Sequence, residues 1–319
     1  MRVIIFFSFL LGLNFAVSGQ NFLFQNQNFF KPYLTNPALA GSQGQGSATL
    51  IYKKQLAGFK NSPNSQVISA DYPFSKSKIG VGFNLFKDQN GASSYAGVES
   101  TFAYHILTTK KGAKKPSGFS FGLSANVNQF RINKIRLLSD QIDDDIFNDE
   151  SKFNHVSPNF NVGFNFFTHG FFLGVSAYNF LPFFNPVFTD ENDLQNALTV
   201  FVSTGLELPI KDKLVIRPSL VVRTQENADY QLDVLGEIRF LTAQGSFFSL
   251  APVYRNFSYR TINGSQSVGL NALVSKHPFG IGYQFDFPLT GGNFSAGDHV
   301  FSFTYQLTAK PKITSKKKK

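Results

Sequence analysis

Histidine is the side chain best suited to acid–base or metal chemistry near neutral pH, and this chain has five: His105, His155, His169, His277 and His299. No two stand four residues apart and none lies in an H-E-x-x-H context, so the spacing offers no helical zinc site. A Ser-His-acid relay needs an exposed nucleophile, and no serine is placed in a strand–turn–helix elbow of the G-x-S-x-G kind. Asp140–Glu150 (DQIDDDIFNDE) clusters hard carboxylates that suit calcium, but it lacks the glycine at the sixth loop position of an EF-hand and reads as a solvated acidic loop. Gly41, Gly44 and Gly46 precede no helix and no G-K-[ST], so they form no phosphate cradle. There is no cysteine, which excludes disulfides, thiolate catalysis and cysteine-ligated zinc or iron–sulfur centres. No catalytic residue, metal or cofactor is expected, and the chain does not read as an enzyme. Recognition is what remains. Arg217, Arg223, Arg239 and Arg255 fall within or near neighbouring runs. Pointing inward together, they would make a basic lumen stripe able to hold an acidic peptide. The other reading of the same residues is interior salt bridges to Glu207, Asp233 and Glu237.

The elements that must position these residues are short alternating runs. Phe119, Phe121, Leu123, Ala125 and Val127 alternate with Ser120, Gly122, Ser124, Asn126 and Asn128. Phe160, Val162, Phe164 and Phe166 alternate with Asn159, Asn161, Gly163 and Asn165. Period two means a strand with one apolar and one polar face. In a soluble sandwich the apolar faces meet in a core; in an outer-membrane barrel they face lipid and the polar faces line the interior. About fourteen runs can be drawn, at 45–55, 65–74, 78–87, 94–108, 117–130, 156–168, 170–179, 197–209, 213–223, 229–240, 246–255, 266–275, 279–288 and 298–309. Most match the 9–11 residues of a tilted transmembrane strand.

The connections choose between the two architectures. Every second one is short, and these hold Lys76, Lys78, Lys110, Lys111, Lys114, Lys115, Lys211, Lys213 and Lys276. The others are mostly longer and carry Asp140–Glu150, Asp190, Glu191, Asp193 and Glu226. Short periplasmic turns and long outer loops are what barrel insertion produces, and a sandwich has no reason for two alternating classes. The expected fold is therefore all-β, a transmembrane antiparallel β-barrel of about 14 strands over residues 44–309. The aromatic content, 39 Phe and 11 Tyr, suits a lipid-facing wall with interfacial girdles. A mean hydropathy of −0.09 does not conflict, because half of each strand is polar. Polar-face glycines (Gly80, Gly82, Gly122, Gly163, Gly205, Gly269, Gly282) would make room inside for packed side chains or a plug.

The ends read separately. Residues 1–19 have the form of a signal peptide, with Arg2, an apolar stretch from Val3 to Val17 and small residues before Gln20. Residues 20–43, rich in Asn, Gln and Phe, are a periplasmic N-terminal segment or a plug. Residues 310–319 are a Lys-rich periplasmic tail. The net charge of +10 does not indicate nucleic acid, because much of it sits in the short connections and in Lys316–Lys319.

Three stretches carry a resemblance to a known family. Asn36-Pro37-Ala38-Leu39-Ala40-Gly41 resembles an N-P-A-x-A-G motif ahead of the first strand. Tyr52-Lys53-Lys54-Gln55-Leu56-Ala57-Gly58-Phe59 resembles Y-R-x-Q-W-x-G-F. Gly280–Pro288, followed by Gly297-Asp298-His299-Val300, resembles a G-Y-x-Y-D hairpin with a G-x-H-E strand. Together they are similar to the PorP/SprF family of the type IX secretion system of Bacteroidota. Leu56, Phe285 and Val300 depart from that pattern, where Trp, Tyr and Glu are common. The resemblance implies an outer-membrane barrel that works with ring proteins of the secretion machinery or with the C-terminal domain of an exported gliding adhesin. The candidate partner-binding residues are Asn36, Pro37, Ala38 and Gly41, as a docking element or simply a cap for the barrel, and Gln55, Gly58 and Phe59, as a partner-binding lip or a structural loop. A passive porin or hydrophobic-compound transporter is the alternative function.

Overall fold

The computed structural model describes residues 27–59, 61–74, 78–109, 116–133, 154–181, 198–225, 230–242, 246–258, 264–290 and 296–307. The expected signal peptide, the Lys-rich tail and the acidic stretch Asp140–Glu150 lie outside the described residues. Two 3-10 turns, η1 (Pro32–Leu34) and η2 (Pro37–Leu39), come first. They are followed by β1 (Ser47–Lys54), β2 (Asn64–Phe74), β3 (Ile79–Asn90), β4 (Ser93–Leu107), β5 (Gly118–Ile132), β6 (Asn154–Thr168), β7 (Phe171–Tyr178), β8 (Thr199–Leu206), β9 (Leu208–Lys211), β10 (Leu214–Gln225), β11 (Tyr230–Leu241), β12 (Phe247–Ser258), β13 (Ser265–Lys276), β14 (Phe279–Pro288) and β15 (Asp298–Gln306).

Each strand pairs antiparallel with its sequence neighbours, and β15 returns to β1, with Ser47 opposite Gln306 and Lys54 opposite His299. The sheet is thus a closed barrel. Segments β8 and β9 are one strand: Gly205 opposite Ser219 and Leu208 opposite Ile216 keep a single register on β10 across Glu207. The wall therefore has 14 strands, as the alternating runs lead one to expect.

Which face points where is settled by burial. Outward-facing apolar residues are exposed along most of the wall; Leu50, Ile68, Phe102, Leu123, Val274 and Phe301 are examples. The alternate positions, among them Ser69, Asn84, Glu99, Ser124, Asn161, Asn271 and Gln284, are buried. A soluble sandwich would show the reverse. No helix among the described residues is long and apolar enough to cross a membrane; the crossing elements are strands, each paired with a neighbour on both sides so that the barrel has no free edge.

The chain ends of the barrel share one rim with the tight turns. His169-Gly170 joins β6 to β7 with φ of 51° and 95°, the left-handed pair that a two-residue hairpin needs. Lipid-facing positions should not tolerate charge. Leu123→Arg, midway along β5, is expected to lower unfolding stability in vesicles by about 2–4 kcal/mol. Leu123→Ala should lose far less, as read by denaturant titration of the refolded barrel.

Candidate functional site

Eight strands enclose an interior that their own side chains just fill, whereas 16 or more leave a water channel. A 14-stranded wall lies between, so its interior needs a filler. Residues 27–46 supply it. The segment crosses the lumen, burying Phe30, Tyr33, Leu34, Ala38 and Ala40. Phe30 and Leu34 pack with the inward-facing Ile51, Val67, Phe86 and Val300. Each large apolar side chain so buried contributes roughly 1.5–3 kcal/mol.

The N-P-A-L-A-G run explains itself residue by residue. Asn36 caps η2 with its Oδ1, which accepts from the Ala38 N–H at 3.0 Å, while its Nδ2 donates to the Phe164 carbonyl of β6 at 3.0 Å. Pro37 occupies the first position of the turn, where a missing N–H and a fixed φ do no harm. Gly41 has φ of +70° and donates its N–H to Asp71 Oδ2 at 2.8 Å. The seat beneath the run is made of inward glycines. A Cβ at Gly80, Gly122 or Gly163 would lie under 3.0 Å from Ala40, from Pro37 and Ala38, or from Asn36, respectively. Gly82 and Gly282 likewise admit the rings of Tyr33 and Phe30.

Polar bonds pin the segment to the wall. Lys31 Nζ donates to Asp71 Oδ1 at 2.5 Å and to Ser47 at 2.6 Å. Burial pulls the Lys31 amine below the ordinary lysine value, and Asp71 works against that fall. Burial also holds the Tyr33 phenol well above its usual value. It therefore stays a donor to Asn84, which donates to Glu99 at 2.9 Å; Asn161 donates to the other Glu99 oxygen at 2.5 Å. Ser176 and the Tyr178 hydroxyl bond to the carbonyls of Thr35 and Leu34.

His105 closes the set. Its Nε2 lies 2.9 Å from the Ala40 carbonyl, which can only accept, so Nε2 carries the proton and Nδ1 accepts from Ser120 at 2.8 Å. Gly118-Phe119-Ser120-Phe121-Gly122 does have the G-x-S-x-G spacing. Its backbone, however, is a continuous strand, Ser120 is buried, and His105 ends on a carbonyl instead of a carboxylate. The pair is a structural pin. Among the described residues no cluster of three His, Asp or Glu is arranged to hold a metal.

The second and third motif stretches meet at the opposite rim. Asp298 accepts from the Leu56 N–H at 2.9 Å and faces the Gln55 amide at 3.4 Å. Ala57 exchanges backbone bonds with Gly297 and Ala296. The loop so held presents Gly58, at φ of +100°, and the exposed ring of Phe59. Asn36, Pro37 and Ala38 are buried, whereas Gln55, Gly58 and Phe59 lie at the rim. Val300, one of the departures, packs in the apolar cluster with Phe30.

All four arginines point inward. Arg217 pairs with Glu207 at 3.4 Å and Glu237 at 3.1 Å, and Arg239 pairs with Glu237 at 2.8 Å. Arg255, fully buried, is held by Asp233 at 3.2 Å and by Asp286. Arg223 lines a cavity of about 10 Å³ with Asn28, Gln231 and Asp233. Carboxylates therefore neutralise most of the stripe. Sequence reasoning did not find Lys31, Tyr33 or Asp71, and it named His105 only as a histidine without a catalytic or metal context. The available signal was Asp71, an acid on the polar face of β2, which needs a cation nearby.

The model of the family described as "Type IX secretion system membrane protein PorP/SprF" matches residues 17–305. No match was found among curated proteins. Among solved structures the chain is similar to KdgM porin, at 8% identity and a TM-score of 0.37, covering 82% of this chain and 99% of that one. It is also similar to CdiB from Acinetobacter baumannii, at 11% and 0.41, covering 82% and 59%. BamA from Haemophilus ducreyi matches at 9% and 0.39, covering 82% and 70%. The closed strand pairing, and not these likenesses, defines the fold.

Gly122→Leu should expel residues 27–46 without opening the wall, because leucine suits a strand but collides with the Pro37–Ala38 backbone. Limited proteolysis of the folded barrel should then cut within the segment, which stays protected in the parent. Lys31→Ala should destabilise the protein by about 3–5 kcal/mol, since it leaves Asp71 buried without its cation. Pairing it with Asp71→Asn should recover part of that loss in denaturant titration.

Proposed function

Because this chain belongs to the PorP/SprF family of type IX secretion system membrane proteins, we propose that it serves that system as a non-enzymatic outer-membrane barrel whose task is to hold a protein partner. The observation that carries this reading is the occupied lumen. Residues 27–46 cross the interior and hydrogen-bond to β1, β2, β3, β4, β6 and β7. A passive porin or hydrophobic-compound transporter needs an open path, and this segment stands in it. The barrel then acts as a rigid frame in the outer membrane of a Bacteroidota-type cell, with the chain ends on the periplasmic side.

The partner is a ring protein of the secretion machinery or the C-terminal domain of an exported gliding adhesin. The contact surface is the loop carrying Gln55, Gly58 and Phe59. Asp298 pre-organises this loop, and its exposed ring can bury against a partner at little entropic cost. Asn36, Pro37, Ala38 and Gly41 act from inside as the anchor of the filler.

Affinity purification after crosslinking should recover one of these partner classes with the parent barrel. Phe59→Asp should reduce the recovery severalfold while the barrel stays folded. In planar bilayers the parent should be electrically silent and Gly122→Leu should conduct. Recovery of no secretion protein, together with steady conductance by the parent, would overturn the reading in favour of a pore.

A further inference from the structure

The outer wall is not uniform. Across β2 to β6 it is indented by a groove of about 570 Å³. Ala96, a small side chain among longer ones, lines it together with the apolar Ile68, Leu85, Val98 and Val127. Strand register sets these residues in rows. Ile68, Leu85, Val98 and Val127 run side by side across β2, β3, β4 and β5. The next outward-facing row toward the loop rim is Gln66, Lys87, Ala96 and Gln129, and the one beyond it is Asn64, Gln89, Ser94 and Arg131, with Lys54 of β1 opposite Asn64. Within two rows the surface changes from hydrocarbon-like to basic.

That belt has one sign of charge. Lys54, Lys87 and Arg131 are the outward-facing charged residues of β1–β6, and no acidic residue among the described ones faces outward there; Asp71, Asp88 and Glu99 all lie on the inward alternation. None of the three cations forms an ion pair with a described residue. Strand spacing puts the Lys87 and Arg131 backbones roughly 12 Å apart, two strands over and two residues along. Long basic side chains can converge on one headgroup from that distance. The loop rim is the outer face of the membrane, because the tight turns and chain ends take the periplasmic one.

We propose that this groove is a seat for a phosphorylated, acylated lipid of the outer leaflet. The headgroup phosphate lies between Lys87 and Arg131, and one acyl chain lies over Ala96 against Leu85, Val98 and Val127. The argument is charge and depth together. Guanidinium and ammonium groups select phosphate, no outward-facing acidic residue among the described ones of β1–β6 competes, and an apolar trough opening sideways into the bilayer at headgroup level meets lipid tails. Chain and trough gain dispersion contacts that a flat wall would not provide. This seat is separate from the lumen and from the secretion role.

The test uses the full barrel in a neutral maltoside detergent with lipid A as probe, and native mass spectrometry counts the lipid carried. The parent should retain lipid A. Lys87→Glu with Arg131→Glu should lower retention by at least about tenfold, the effect of losing one charge-assisted contact. Ala96→Trp, which fills the trough and suits a lipid-facing wall, should lower it with every charge intact. Lys78→Glu, at the opposite rim, should leave it unchanged. Equal retention by the parent and the double variant would overturn the proposal, as would full retention by Ala96→Trp. Displacement of the lipid by inorganic phosphate alone would overturn it too, since the site would then be a simple anion site.

Discussion

The constraint on which the rest depends is that a strand in hydrocarbon cannot leave backbone donors and acceptors unpaired. Closing β15 onto β1 meets it by removing the edge. Closure in turn leaves each strand one outer and one inner face. Phe, Leu, Ile and Val take the outer one, and Ser, Asn, Gln and a few charges take the inner one. The inside of this protein is therefore mainly its polar phase, and the usual relation between burial and hydropathy is inverted over most of the wall.

An inverted interior creates a second requirement. Buried polar groups need partners, and a barrel of this width has more interior than its wall can fill. Two devices answer it. On one side of the lumen the N-terminal segment brings its own core, Phe30 and Leu34 among them, together with carbonyls and a lysine that satisfy wall groups such as Asp71, Tyr178 and His105. On the other side, β10, β11, β12 and β14 satisfy themselves through Arg217, Arg239 and Arg255 and their carboxylates. The inward Gly80, Gly82, Gly122, Gly163 and Gly282 belong with the first device. They lower the wall locally so that backbone can approach backbone, which accounts for glycine at strand positions where it is otherwise unfavourable.

A wall braced from inside by its own chain suits the proposed role, in which a barrel of this secretion family holds a partner at its rims. The motif residues fit the same picture. Asp298 organises the Gln55–Phe59 loop, Gly282 admits Phe30, and Asp286 holds Arg255, so stretches far apart in the chain form one connected structure from lumen to rim. The outer face adds a different kind of asymmetry. Its basic belt is concentrated on β1, β3 and β5, where no acidic residue among the described ones faces outward.

Much of the fold was legible because period-two alternation depends only on backbone geometry. The strands drawn from Phe119–Val127 and Phe160–Phe166 fall within β5 and β6, the alternating runs set the strand number, and the alternation of tight and long connections supported it and put both ends on one rim. The likeness around Asn36–Gly41, Gln55–Phe59 and Gly297–Val300 drew attention to stretches that lie in the lumen and at the loop rim. Alternation alone cannot say which face is inside, since a sandwich and a barrel use the same pattern with opposite burial; only closure decides that. Nor could it place Asn36-Pro37-Ala38 on Gly122 and Gly163, join Lys31 to Asp71, or set Lys87 beside Ala96 on an outer groove. Those pairings link residues distant in the chain, and they exist only once the register around the whole ring has been set.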